Sequence, residues 1–241
     1  VPGGESTGIE SNSIVQSQRL LSKSTLNLSA ASVVAGSGIS SDIISAISSS
    51  GVSSSEIITL GSTNLKNLTS NLSGDTATQA TQFKTLVGVI DAYSNVEADA
   101  RLSGRRAISA NADIGTIVTS TVKNVTADHL TTLGKLDVSH MKTFAGDGIS
   151  NIENFTTRVD VTSAMVGNSL DNFSDAHLSA LVENLHASLD GDSLDALKSL
   201  EKSHMTALVG GASGTDLHKS FDAADFKSSV KNFATKAEVT V

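Results

Sequence analysis

Between Asp128 and Phe221 one short pattern keeps returning: a hydroxyl, an acid or a small residue, then usually a polar residue, then two apolar residues three or four positions apart. Its copies are Asp128-His129-Leu130 with Leu133, Ser139-His140-Met141 with Phe144, Ser150-Asn151-Ile152 with Phe155, and Ala176-His177-Leu178 with Leu181. Ser193-Leu194 with Leu197, Ser203-His204-Met205 with Leu208 and Asp216-Leu217 with Phe221 complete the set. Each copy reads as the start of a helix. A hydroxyl or carboxylate accepts an orphan backbone N–H there, and apolar residues three or four apart share one face. Leu130, Met141 and Ile152 are eleven residues apart, close to three turns of a continuous helix. Gly134, Gly146 and Gly148 argue against continuity and read as stops, which predicts helices of one to three turns. Helices this short are unstable alone in water, so their apolar faces must pack on one another or on a neighbouring subunit.

The rest of the chain is also read as helical. In residues 76–125, Phe83, Leu86, Val87, Ile90, Tyr93 and Val96 fall at helical spacing, Ser103-Gly104 reads as a break, and Ile114, Ile117, Val118, Val122 and Val125 form a second stripe. Residues 1–75 hold 21 of the 39 serines and only eight charged residues. Within them, Ser41-Asp42-Ile43-Ile44 and Ser55-Glu56-Ile57-Ile58 read as short capped helices, and Leu65, Leu68 and Leu72 extend a stripe towards Gly74. The expectation is an all-α chain in three parts. Residues 1–75 are a Ser-rich segment with short helices, suited to be an assembly arm; residues 76–125 form long amphipathic helices; residues 126–241 form a short-helix array.

The 39% apolar content supports a packed core, and with 3% aromatic residues that core must be mainly aliphatic. Having no cysteine, the chain excludes disulfides, thiolate metal sites and cysteine nucleophiles. A net charge of −8 points away from nucleic acid, whose phosphates require clustered Lys and Arg; only Arg101, Arg105 and Arg106 cluster. No apolar stretch is long enough for a membrane span. Val1 to Glu5 lack a positive n-region and an apolar h-region, and a start at Val points to processing or an excerpt.

Four of six histidines, His129, His140, His177 and His204, stand immediately before the first apolar residue of a unit. One reading makes them ligands of a metal or haem held between facing helices. The other places each in a first helical turn, beside a cap. The second is favoured, because no pair forms His-x-His or His-x-x-x-His, and His129 and His140 would lie ~16 Å apart on one helix. Asp190-Gly191-Asp192 with Asp195, and Asp147-Gly148, are read as turns followed by caps rather than calcium loops, with incidental calcium as the minor alternative. Glu153, Glu183, Asp195 and Glu201 fall on polar helix faces. No nucleophile elbow, phosphate loop or dinucleotide fingerprint occurs, so no catalytic residue and no cofactor is assigned. Asn27, Asn67, Asn71, Asn124, Asn154 and Asn172 open Asn-x-Ser/Thr sequons and are candidate glycan acceptors.

This Cys-free, Trp-free, hydroxyl-rich and acidic composition resembles that of prokaryotic surface-layer and filament subunits, including flagellin variable regions. Short helices whose apolar faces need partners, with no catalytic constellation, lead to the same expectation: a secreted or cell-surface structural subunit without enzymatic activity that associates with copies of itself. Leu65, Leu68 and Leu72, or Leu217, Phe221 and Phe226, are the stripes expected at such an interface. The rival expectation is a helical metal- or haem-binding module built on the repeated histidines.

Overall fold

A computed structural model of the chain describes residues 26–104, 110–209, 231, 233–236 and 238–239. Among these the regular structure is entirely helical, so the protein is all-α. The elements are α1 (Leu28–Gly36), α2 (Ser41–Ser49), α3 (Ser54–Thr69), α4 (Thr76–Gly104), α5 (Ala110–Asn124), α6 (Ala127–Leu133) and α7 (Val138–Phe144). Two 3-10 turns, Ala145–Asp147 and Ile149–Asn151, lead into α8 (Ile152–Val166). A third, Gly167–Asn172, precedes α9 (Asp175–Ser188), α10 (Gly191–Lys198) and α11 (Lys202–Val209). No described helix is long and apolar enough to cross a membrane. The chain divides by its contacts into two units, residues 1–90 with 106–123 and residues 91–105 with 124–241.

In the first unit the hydroxyl-rich stretch builds its own aliphatic core. Asn27, Ser40 and Ser53 cap α1, α2 and α3 through their side-chain oxygens, the last two lying one and two residues ahead of the serines the pattern suggested. The α3 segment is broken at Gly61, whose φ of 75° is a left-handed conformation that side-chain-bearing residues avoid. α1 packs along α3, and the Ser62 hydroxyl donates to the Val33 carbonyl at 2.8 Å. Leu65 and Leu68, expected on an interface between copies, are instead fully buried in this unit with Ala30, Val34, Ile47 and Ile57. The segment carries enough Ala, Val and Ile to cover its own leucines. Phe83, Val89, Ile117 and Val118, from α4 and α5, are buried in the same unit. Leu217, Phe221 and Phe226 lie outside the described residues.

The second unit is organised around α8. Helices α6, α7, α9, α10 and α11 all contact it, and α7 also packs on α9. Its buried residues, Ile152, Phe155, Thr157, Arg158, Val159, Val161, Thr162, Met165 and Val166, run round the whole helix rather than along one stripe. Its buried threonines are satisfied within the helix: Thr157 donates to the Glu153 carbonyl and Thr162 to the Arg158 carbonyl, each at 2.7 Å. The apolar pairs of the repeated unit, Leu130 with Leu133, Met141 with Phe144, Ile152 with Phe155, Leu178 with Leu181 and Leu194 with Leu197, are buried in this unit. Each such side chain contributes about 1.5–3 kcal/mol, enough collectively to hold helices too short to stand alone. The pattern understates α8 and α9, at 15 and 14 residues. It also misplaces the caps: Asp128, Ser139 and Ser193 lie inside their helices while Thr126, Asp137 and Asp190 cap them, and Ser150 sits in a 3-10 turn that leaves α8 without a side-chain cap.

Candidate functional site

The four repeated histidines occupy one structural position, the third residue of a helix. The Thr126 N–H donates to His129 Nδ1 at 3.0 Å, that of Asp137 to His140 Nδ1 at 3.2 Å, and that of Glu201 to His204 Nδ1 at 3.3 Å. In return the Thr126 and Asp137 side chains accept the backbone N–H of His129 and His140. These are capping boxes in which imidazole fills the place more often taken by Glu or Gln. A ring nitrogen that accepts a backbone N–H carries no proton, so the proton sits on Nε2. From there His129 reaches Asp160 Oδ1 on α8 at 3.0 Å, and His140 reaches Ser179 Oγ on α9 at 3.2 Å. His177 donates its backbone N–H to Ser174 and sets its ring edge-on to Phe173, with centroids 6.4 Å apart. Among the described residues no three His, Asp or Glu gather where one metal ion would touch them all.

The six sequons fall in different settings. Asn27 uses its side-chain oxygen as the cap of α1, Asn71 donates to the Val122 carbonyl at 3.3 Å, and Asn154 donates to Asp147 at 3.2 Å. Asn67 and Asn124 are half-buried, and Asn172 is exposed in a 3-10 turn. In the Asn67 sequon the Thr69 hydroxyl is buried and donates to the Leu65 carbonyl at 3.0 Å.

Chemistry concentrates elsewhere in the second unit. A cleft of about 430 Å³ is lined by Asp147, Asn151, Asn154, Arg158, His186, Leu189, Asp190, Gly191 and Leu194. Arg158, 3% exposed, forms one wall. Its Nη1 donates to Asp147 Oδ2 at 2.7 Å and its Nη2 to the Leu189 carbonyl at 2.9 Å, so one guanidinium joins a 3-10 turn, α8 and the α9–α10 junction. Gly148, with φ 85°, lets the chain turn back directly after Asp147. On that turn the Ile149 N–H donates to Glu97 Oε1 at 2.9 Å. Asn151 Nδ2 donates to the Asp147 carbonyl at 2.8 Å. Asp190 caps α10 directly, with Gly191 already the first residue of that helix rather than part of a preceding turn, whereas Asp147 serves Arg158 instead of a helix end.

The electrostatics follow from this packing. Burial works against the Asp147 carboxylate, but the hydrogen bond and charge of Arg158, with Asn154, prevail and hold it below the usual carboxylate range. Burial, then the charge of Arg158, pushes His186 below the ordinary histidine range, with Asp147 opposing, so the ring is favoured neutral. Tyr93, fully buried with its ring 5.4 Å from that of Phe155, is driven well above the usual phenol range by burial and then by Asp147, with Arg158 opposing. Three buried polar atoms here, Arg158 Nε, His186 Nδ1 and Tyr93 Oη, have no hydrogen-bond partner among the described residues.

Neither Arg158 nor His186 stood out in the sequence, although Arg158 left a trace. Its neighbours one turn away are Asn154, Phe155, Val161 and Thr162, with no acid at helical ion-pair spacing, unlike a solvated surface arginine. His186 lies outside the repeated unit, so its pattern gave no cue. No family model, no curated protein and no solved structure matches the chain.

Proposed function

We propose that the chain is a non-enzymatic structural subunit, secreted or held at a cell surface, that associates with copies of itself. One observation carries the reading: the surface of α1–α3. Over residues 28–69 the only charged side chains are Asp42, Glu56 and Lys66. Exposed hydroxyls turn back onto their own helices, Ser32 to the Leu28 carbonyl at 3.1 Å, Ser45 to that of Ser41 at 3.1 Å and Thr59 to that of Ser55 at 2.7 Å. A hydroxyl already bonded to the backbone loses less on being covered than a hydrated charge does. Leu28, 71% exposed, and Ile58, 43% exposed, add apolar area on the packed α1–α3 pair. Such a surface suits contact between identical copies, where like charges would otherwise meet. The Cys-free, hydroxyl-rich composition supports an extracytoplasmic setting. Light scattering of the native chain across a concentration series tests the association. The mass is expected to rise above that of one chain, and a mass that stays monomeric at every concentration overturns the reading.

A further inference from the structure

We propose that the Arg158 cleft binds a small neutral polyhydroxylated ligand, such as a single sugar residue. The inference is independent of self-association, since the cleft lies wholly in the second unit and the sparsely charged surface in the first.

The charge inventory decides the ligand class. Among the described residues the one cation lining the cleft, Arg158, is already matched by Asp147 at 2.7 Å, and Asp190 adds a second carboxylate. His186 is favoured neutral by its burial beside Arg158. An anion would therefore enter a site with no surplus positive charge and two nearby carboxylates. A bare cation fares no better, because Asp147 is committed to a guanidinium and, among the described residues, no three acids or imidazoles converge there. What remains is a set of polar groups: the Asn151 and Asn154 amides, the second oxygen of Asp147 and the His186 ring. Leu189 and Leu194, at 0% and 2% exposure, close the floor of the cleft but offer no open apolar face, so what a ligand meets is polar. An uncharged polyol or single sugar, with hydroxyls that both donate and accept, matches that set of amides, carboxylate and imidazole.

The cleft is also held in shape before any ligand arrives. Arg158 is 3% exposed and fastened at two ends, Asn151 is bonded to the Asp147 carbonyl, and Asn154 to the Asp147 carboxylate. A wall fixed in this way loses little side-chain freedom on binding. The volume of about 430 Å³ lies within the range of small-molecule sites.

Gly191 supplies the test. It lines the cleft, and a Cβ added to it meets nothing within 4 Å, so the side chain of Gly191→Phe starts in open space and crowds the cleft. Backbone amide NMR of the full chain would be recorded with methyl glucoside, methyl galactoside, methyl mannoside and N-acetylglucosamine, and separately with glucuronate, inorganic phosphate and calcium. The expected result is saturable shifts at Asn151, Asn154, His186 and Gly191 with at least one neutral sugar, weakened at least about tenfold in Gly191→Phe. Asn154→Leu, which removes an amide while Arg158 stays paired, is a second probe that should weaken binding in the same way. Absence of shifts with every neutral sugar, binding of glucuronate, phosphate or calcium in preference, or sugar binding unaffected by both variants would each overturn the proposal.

Discussion

Arg158 shows how much one residue can fasten. It is a charged side chain in a helix otherwise buried among Phe155, Val159 and Val161, and its two terminal nitrogens join separate segments. Arg158→Ala is expected to lower the unfolding free energy by about 2–3 kcal/mol. That is less than for a fully buried pair, because the Asp147 side chain remains 35% exposed. Asp147→Asn combined with Arg158→Met should recover part of the loss, as the two sites share one interaction. Urea titration of the three proteins measures both values.

The same site sets a pH dependence. His186 has a lowered value in the folded chain, so below about pH 6.5 the unfolded chain binds more protons and stability falls as the solution is acidified towards the folded value. Asp147 is also lowered, and its contribution, present above the ordinary carboxylate range, is lost only as pH falls through its folded value. Unfolding followed between pH 7 and pH 5 should show a declining limb that His186→Gln flattens, whereas the steeper loss at lower pH should remain.

At the scale of the helix, the repeated unit is a capping device. The sequence made the helix starts, the histidine in the first turn and the apolar pair legible because that chemistry is local, but not the cap itself, which lies at Thr126 and Asp137, two residues ahead of the Asp128 and Ser139 the pattern suggested. The imidazole's own role could not be read from spacing, since His at the third position serves a cap and a ligand equally well in one dimension. The structure separates the two at His204, whose Nδ1 accepts from Glu201 while the residue stays exposed. His204→Gln should therefore hold stability to within about 0.5 kcal/mol, because Gln fills the same role. His204→Ala should lose about 0.5–1.5 kcal/mol, the worth of one hydrogen bond. Thermal melts of both variants distinguish a cap from a bystander. Longer-range features escaped the sequence for the converse reason. The meeting of Asp147 with Arg158 and of Arg158 with the Leu189 carbonyl joins positions that no short window contains. The break at Gly61 depends on a backbone angle, which the capped segment at Ser55 and the stripe of Leu65, Leu68 and Leu72 after it do not reveal.

At the scale of the whole chain, apolar residues at helical spacing were enough to indicate an all-α protein. They were not enough to show which stripes face inward, because a face reads alike whether its cover is the same chain or another copy. Leu65 and Leu68 are covered within the chain, which leaves Leu28 and Ile58 as the exposed aliphatic positions of α1–α3. Replacing both with serine should leave the melting temperature nearly unchanged and shift the light-scattering mass towards one chain. An unchanged mass would move the contact away from α1–α3.

The lone tyrosine offers a last consequence. With no tryptophan in the chain and one tyrosine, sealed beside Phe155 in the second unit, ultraviolet emission comes from that single ring. Fluorescence is thus a native reporter confined to the second unit, while circular dichroism senses helices throughout, so comparing the two signals during denaturation resolves where melting begins without attaching a dye.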